Sequence, residues 1–385
     1  MNTIDLNFNL TEEQELVKKT AKEFAEVHLE PGVIERDDKS ITPLNEIKEM
    51  GKLGFLGMMV PEKWNGAEMD TMSYVLAMEE ISRIDASAGV IMSVNNSLVC
   101  QIFVDWCSDE QKEKYLTKLS TGDWLGAFSL SEPQSGSDAS NMRMGAVKNG
   151  NSYILNGTKN WVTNGISSDV VIVFAVTEKK VGHKGISAFI IEKGTKGFTT
   201  GKKEDKLGIR GSDTCELYFE NCKVPIENII HNEGEGFHIA MDTLNGGRIG
   251  IATQALGIAR ASLEKSIAYS NERKQFGKTL NSFGAIKSKL AQMATRLEAA
   301  RLLTWKAAKM KDSKQAYVKE AAMAKLFASQ LAVDASRDCV QIYGGYGYMQ
   351  EYGVERLMRD AKITQIYEGT SEIQELIIAR CLNEK

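Results

Sequence analysis

Gln365-Ile366-Tyr367-Glu368-Gly369-Thr370-Ser371-Glu372-Ile373-Gln374, near the end of a 385-residue chain, is the stretch from which the rest is read. Ser371-x-x-Gln374 has the spacing of a capping box, and Ile373, Leu376, Ile377 and Cys381 recur at helical intervals behind it. A helix is therefore expected to begin at Thr370 or Ser371. Glu368 falls in the loop before that helix, and Gly369 lets the backbone turn sharply beside it. A carboxylate on a short loop between packed helices can be aimed into a cleft, which suits a general base. The bland alternative is a solvated acid near a helix N-terminus, favoured there by the dipole. The rest of the chain decides between them.

Upstream of this stretch, residues 249–269, 286–311 and 318–342 are long segments of helical period. Stripes such as Ile286, Leu290, Met293, Leu297, Ala300 and Trp305 suit a bundle of packed antiparallel helices. Helix begins with Gly236-Phe237. Between about Gly122 and that point the period is two: Val170–Val176 and residues 185–191 are apolar runs of strand length, and Cys215, Leu217 and Phe219 alternate with Glu216, Tyr218 and Glu220. Asn156-Gly157, flanked by residues 152–155 and 158–163, reads as a two-residue hairpin turn. The first third is helical again. Thr11-x-x-Gln14 opens a helix with the stripe Val17, Ala21, Phe24, Ala25, amphipathic segments follow at 47–53, 74–84 and 91–104, and Pro61-Glu62-Lys63-Trp64-Asn65-Gly66-Ala67 is a turn. The order is helical, β, helical, an α+β chain.

Hydrophobic residues make up 43% of the chain, enough for a core shared by two or three units. With 47 Lys and Arg against 51 Asp and Glu, no basic excess points to nucleic acid. Met1-Asn2-Thr3-Ile4-Asp5-Leu6-Asn7-Phe8 has no leader pattern and Leu382-Asn383-Glu384-Lys385 no lipidation signal, so the expectation is a cytoplasmic, bacterial protein without membrane insertion. Six scattered cysteines without a CxxC pair read as reduced thiols, mostly buried, and four dispersed histidines give no metal-site spacing. So few histidines make a carboxylate the more natural base.

Ile366-Tyr367-Glu368-Gly369-Thr370 closely resembles the catalytic segment of the acyl-CoA dehydrogenases, and further segments of that family occur in order along nearly the whole chain. The resemblance implies an N-terminal helical domain (1–121), a middle β-barrel or sandwich domain (122–232) and a C-terminal four-helix bundle (233–385). It also implies FAD as cofactor and Glu368 as the catalytic base. The loop Phe128-Ser129-Leu130-Ser131-Glu132-Pro133-Gln134-Ser135-Gly136-Ser137-Asp138 is similar to the family segment bordering the flavin ring, with Gln134-Ser135 replacing a commoner small pair. Trp161-Val162-Thr163-Asn164 would cover the ring's other side. Phe128, Leu130, Ser131, Gly136, Ser137, Trp161, Val162 and Thr163 are thus candidate cofactor contacts.

No GxGxxG fingerprint or phosphate loop is present, so FAD is not argued from a dinucleotide fold. Instead Arg273-Lys274-Gln275-Phe276-Gly277 and Gln341-Ile342-Tyr343-Gly344-Gly345 resemble segments that hold the pyrophosphate and adenosine half across a subunit interface. By that resemblance Arg273, Phe276, Gln341, Gly344, Gly345, Thr370 and Glu372 join the cofactor set. Thr279, Gly284 and Lys287 depart from the family's proline and two glutamines, which removes a side-chain contact at 284 and implies somewhat weaker cofactor retention.

Asp242-Thr243-Leu244-Asn245-Gly246-Gly247-Arg248 is expected at the start of a long helix. With Ser137 it is assigned by resemblance to the CoA side of the substrate. Some relatives carry their catalytic glutamate on this helix, but residues 242–263 hold none, which leaves Glu368. The substrate candidates are Ser137, Asn245, Arg248, Gln254, Thr364, Tyr367 and Gly369. Gln254 and Thr364 match the short-chain branch, implying butyryl-CoA as substrate with Gln254 closing the acyl pocket. Glu368 would take the α-proton while flavin accepts the β-hydride, the thioester oxygen being held by the Glu368 backbone N–H and an FAD hydroxyl. An electron-transferring flavoprotein as partner and a homotetramer follow from the resemblance alone. Two rival readings keep the fold: an enoyl-CoA reductase running in reverse, and a DNA-associated relative, which would call for a basic face.

Overall fold

The structure, a computed structural model, describes residues 9–383. The segment read above for a leader, residues 1–8, lies outside the described residues, as do Glu384 and Lys385 of the closing tetrapeptide. The N-terminal unit holds α1 (Glu12–Phe24), α2 (Val33–Asp38), α3 (Leu44–Lys52), α4 (Thr71–Ile84), α5 (Ala86–Ser93), α6 (Gln101–Trp106) and two short turns, α7 (Asp109–Gln111) and α8 (Thr117–Leu119). The Thr11 capping box forms, and Val17, Ala21 and Phe24 are buried beneath it. The Gln14 side chain also donates to Asp70, the residue that caps α4, so one cap fixes the start of two packed helices. Through Val94–Cys100, α5 and α6 run on as one helix, Ala86–Trp106, long and apolar enough to cross a membrane. Its most apolar window is 89% buried inside the protein, as a core helix.

The middle unit is a seven-stranded mixed sheet of β1 (Gly126–Ser129), β2 (Gly145–Asn149), β3 (Ser152–Thr163), β4 (Val170–Val176), β5 (Ile186–Glu192), β6 (Phe198–Thr200) and β7 (Thr214–Pro225). One half pairs β1 parallel and β5 antiparallel with β4; the other runs β2, β3, β7, β6. The halves meet at the single register Gly145↔Val176. Val171, Val173 and Ala175 face a core shared with Leu155, Val162 and Leu217 of the other half, whereas Val170, Ile172 and Phe174 face the helices. Burial on both faces explains why β4 reads as an unbroken apolar run.

The expected hairpin at Asn156-Gly157 does not form. β3 runs straight through it, with Gly157 at φ 147° in an irregular register where a Cβ would meet Met144 at 2.8 Å. The turn lies one Asn-Gly pair earlier: Asn149 and Ser152 face each other across Gly150, at φ 57°. A strand can absorb a glycine as a bulge when its partner supplies a donor, and here Asn221 N–H bonds the Asn156 side chain.

The C-terminal unit comprises α9 (Gly236–Glu272), the two-residue strands β8 (Lys274–Gln275) and β9 (Lys278–Thr279), α10 (Gly284–Asp312), α11 (Val318–Tyr343), α12 (Val354–Ile363) and α13 (Ser371–Asn383). α9 starts where Gly236 packs on the Ser187–Ala188 backbone of β5, so residues 242–248 lie inside the helix and not at its start. Buried residues run along α9 from Gly246 to Leu263, and α11 presents Ala321, Ala324, Ala328, Leu331 and Ala332. Small side chains let these helices approach closely. All six cysteines are free and five are buried.

Candidate active site

Glu368 sits in the connection between α12 and α13. Thr364 ends α12 by turning its hydroxyl onto the Ala361 carbonyl (2.7 Å), and it is fully buried. Glu368 and Gly369 are then both left-handed, at φ 53° and 90°. For a non-glycine residue that conformation costs roughly 1–3 kcal/mol and persists where the surroundings impose it.

The Ser371–Gln374 capping box is not made. Thr370 is the cap, accepting the Ile373 N–H at 3.4 Å, while the buried Gln374 amide turns back to donate to the carbonyls of Gly369 (2.9 Å) and Glu368 (3.2 Å). The left-handed pair directs two carbonyls into the protein, where they need a donor more than an exposed N–H needs an acceptor. The stripe expected behind it is only partly covered, Leu376 being 66% exposed.

The side chain of Glu368 reaches α9. A Cβ on Gly247 would lie 2.1 Å from its Oε2, so the carboxylate fills the space that this glycine leaves. Glu368 as a whole residue is half-buried, but Oε2 is shielded from water and has no hydrogen-bond partner. Burial pushes its carboxyl up to about 7, against the opposing pull of Lys325 and Arg248. Arg248 is buried on the same helix, bonded to the Asn245 side chain, and desolvation lowers it to about 10. Lys325, on α11 and 0% exposed, donates to the Gly369 carbonyl at 2.6 Å, and burial lowers it to about 7.

Of the substrate candidates, Gln254 on α9 meets Tyr367 of the loop, and Arg248, held by Asn245 on the same helix, acts by its charge on Glu368, whereas Thr364 is bonded within α12 and Gly369 to Lys325 and Gln374. The Tyr367 hydroxyl donates to Gln254, whose amide donates in turn to the Ala86 carbonyl (2.7 Å); Gln254 is fully buried. Ser137 stands apart, exposed on the loop after β1.

The ring-bordering candidates lie side by side. The β1 loop and β3 are joined by Asn160 N–H to the Ser131 carbonyl (2.9 Å) and by the Lys159 ammonium to the Leu130 carbonyl (2.9 Å). Phe128 packs on Phe174, Val162 is buried, and Ser131 and Thr163 are partly exposed. Trp161 is 64% exposed at φ 60°, an indole turned outward between the buried Asn160 and Val162. Beneath the loop, Glu132 accepts from Lys159, Arg143 N–H, Met144 N–H and Gln134.

The second cofactor group sits on the helical unit. Arg273, Gly344 and Gly345 line a cleft of about 450 Å³ with Tyr269, Gln275 and Tyr343, and the Arg273 guanidinium lies 5.3 Å from the Tyr346 ring centre. Gln341 is exposed outside that lining, and Phe276, 93% exposed, packs edge-on to Phe283. Thr370 is part-exposed and caps α13 with its hydroxyl oxygen. Glu372 is exposed, its carboxyl held low chiefly by the Thr370 hydroxyl. Thr279 bonds Asn281, Gly284 opens α10 with free space at its Cβ position, and Lys287 is exposed. A larger cleft of about 600 Å³ between Trp106 and His231 includes none of the predicted site residues.

These residues suit a flavin dinucleotide: an outward indole beside a loop of hydroxyls and backbone donors, and a cleft with a guanidinium and two glycines open at their Cβ positions. Sequence reasoning missed Lys159 with Glu132, Gly247 as the notch for Glu368, and Lys325. A lysine on the buried alanine face of α11, in step with Ala321, Ala328 and Ala332, was the available signal for the last.

Residues 11–123, 127–222 and 234–382 match the N-terminal, middle and C-terminal domain models described for acyl-CoA dehydrogenase. The chain is 48% identical to a short-chain specific acyl-CoA dehydrogenase of Clostridium acetobutylicum, over 97% of this chain and 99% of that one. It superposes on butyryl-CoA dehydrogenase from Megasphaera elsdenii with a TM-score of 0.97 at 48% identity, covering 98% of this chain and all of the other. A chain in a structure described as the electron transferring flavoprotein of Acidaminococcus fermentans matches with a TM-score of 0.98 at 49% identity, covering 99% of this chain and 100% of that one. Three domain models in order and near-complete coverage at about half identity place the chain in the flavin-dependent acyl-CoA dehydrogenase family.

Proposed function

We propose that the protein dehydrogenates short-chain acyl-CoA thioesters, butyryl-CoA to crotonyl-CoA, with Glu368 as the base that takes the α-proton. The observation carrying this reading is the Glu368 carboxylate itself: set in the notch of Gly247, with a dehydrated, unpartnered Oε2 and a carboxyl raised to about 7. A base poised near neutrality combines a usable ionised fraction with enough basicity to pull a weakly acidic proton. The backbone N–H of Glu368, in the left-handed turn, is the chain's donor for the thioester oxygen, where negative charge develops. Bound FAD supplies the acceptor for the β-hydride. Phe128, Leu130, Ser131, Gly136, Ser137, Trp161, Val162 and Thr163 would hold its ring side. Arg273, Phe276, Gln341, Gly344, Gly345, Thr370 and Glu372 would hold the rest, with the departures at 279, 284 and 287 weakening retention.

The two cofactor groups lie on different structural units, which supports a site completed by a second copy of the chain, in a homotetramer. The electron-accepting partner proposed is an electron-transferring flavoprotein, on the strength of the likeness to the Acidaminococcus structure. The short-chain preference rests on Gln254 and its two hydrogen bonds. Mixing holoenzyme with butyryl-CoA in a stopped-flow spectrometer tests the reaction: flavin absorbance should bleach rapidly, and Glu368→Gln should slow bleaching by about 10²–10⁴-fold while thioester binding persists. A Glu368→Gln protein reduced at the normal rate would show that the base lies elsewhere.

A further inference from the structure

Lys325 is the most anomalous side chain near the site. It is 0% exposed on α11, in step with the buried Ala321, Ala328 and Ala332, and among the described residues it makes no ion pair within 4 Å. Its ammonium donates to the Gly369 carbonyl at 2.6 Å and reaches no other residue of the catalytic loop by a hydrogen bond. Gly369 O accepts a second bond from the buried Gln374 amide, which also holds Glu368 O. Two buried donors from two helices thus grip the two peptides that carry the left-handed turn. Burying an ammonium is costly without a carboxylate partner, and simple packing of α11 on this loop would be better served by an apolar side chain.

We infer that Lys325 is a positioning residue for the reaction, its ammonium and the Gln374 amide together holding the Glu368–Gly369 turn so that the carboxylate stays in the Gly247 notch. The inference rests on the proposed dehydrogenation and adds to it a residue that does not touch the reacting atoms. Lys325 also acts through its charge. The charged and titratable groups facing the Glu368 carboxylate are Lys325 from α11, Arg248 from α9, Tyr74 from α4 and Tyr367 from its own loop. Glu372 and Arg380 of α13 and Tyr317 act on the two cations. Both tyrosines are raised by burial and stay neutral near pH 7, so Lys325 and Arg248 are the cations that favour the ionised carboxylate.

The test uses holoenzyme of the wild type, Lys325→Met and Gln374→Leu, with stopped-flow flavin reduction by butyryl-CoA across pH and KM from steady-state assays. Lys325→Met is expected to slow reduction roughly 10–100-fold with KM changed less than about threefold, and to move the acidic limb of the pH profile upward. Gln374→Leu is expected to slow reduction similarly without moving that limb, because it removes a neutral donor. Reduction of Lys325→Met at the wild-type rate overturns the inference. So does a loss of flavin, binding and rate in equal proportion, which marks a purely structural lysine. Should Lys325→Met fail to fold, Gln374→Leu decides: slowed reduction at unchanged KM supports the clamp, and an unchanged rate overturns it. A wild type inert towards C3 to C8 thioesters overturns the dehydrogenation reading itself.

Discussion

Glu368 Oε2 occupies the position where a side chain on Gly247 would begin, 2.1 Å from the missing Cβ. The loop thus relies on α9 for a vacancy as well as for contacts. Gly247→Ala should still fold, because the atoms in the way are the ends of two side chains, Glu368 Oε2 at 2.1 Å and Leu98 Cδ2 at 2.8 Å, and the about 1 kcal/mol by which alanine favours a helix interior offsets part of the cost of shifting the buried leucine. The carboxylate must swing away, however, and flavin reduction should fall by at least about 10-fold. Thermal melting and stopped-flow reduction measured on the same sample check both halves; an unchanged rate would mean that the notch is dispensable.

Burial raises the Glu368 carboxyl to about 7, with Lys325 and Arg248 opposing the shift. A base works when ionised, so the rate of flavin reduction should climb as pH rises through about 7 and level off above it. Glu368→Gln should flatten the profile. A rate that falls over that interval would give the ionised carboxylate no part in the step.

Gln254 is fully buried between the Ala86 carbonyl and the Tyr367 hydroxyl, so pushing it aside would break two bonds and leave polar atoms unpaired. If it closes the acyl pocket, kcat/KM should peak near four carbons and drop steeply beyond six to eight. Gln254→Gly should move the optimum to longer chains, each admitted methylene gaining roughly 0.8 kcal/mol. Assays from C3 to C12 on both proteins decide it, and a wild-type optimum at eight carbons or more would reject the assignment.

Lys159 is 0% exposed and paired with the buried Glu132 at 2.9 Å, while its ammonium also holds the Leu130 carbonyl. Lys159→Met strands a buried carboxylate without its counter-charge, leaving only the neutral donors of Gln134 and of the Arg143 and Met144 N–H groups. The cost should be about 3–5 kcal/mol. Urea unfolding should show that loss, and FAD should dissociate more readily as the β1 loop loosens.

Arg273 closes α9 and faces the cleft with Gly344 and Gly345. Because its side chain is part-exposed and lies over the Tyr346 ring, Arg273→Ala should barely change stability yet weaken FAD binding about 10-fold or more, through loss of a forked donor for phosphate. Titrating apoprotein with FAD by fluorescence measures this directly.

Much of the architecture was legible because it is written in local periods. The Thr11 capping box, the apolar run of β4 and the alternation of β7 are all written in residues within a few positions of one another. Two Asn-Gly pairs lie close together on the chain, however, and only strand pairing chose between them. β2 needed its turn at Gly150, which left Gly157 to become an irregularity inside β3.

At the site, the sequence and its family resemblance named the glutamate and the burial expected to raise its carboxyl, but not the groups that bury and hold it. The capping pattern at Ser371 misled because Gln374 is held by carbonyls that exist only once the left-handed turn is folded and buried. Lys325 lies far back along the chain from Glu368, and Gly247 farther still. The chain alone determines that a carboxylate stands on a loop between helices. Its direction, its dehydration and its raised proton affinity were decided when α9, α11 and α13 closed around it, because desolvation and charge act through space and depend on neighbours that the order of residues does not place side by side.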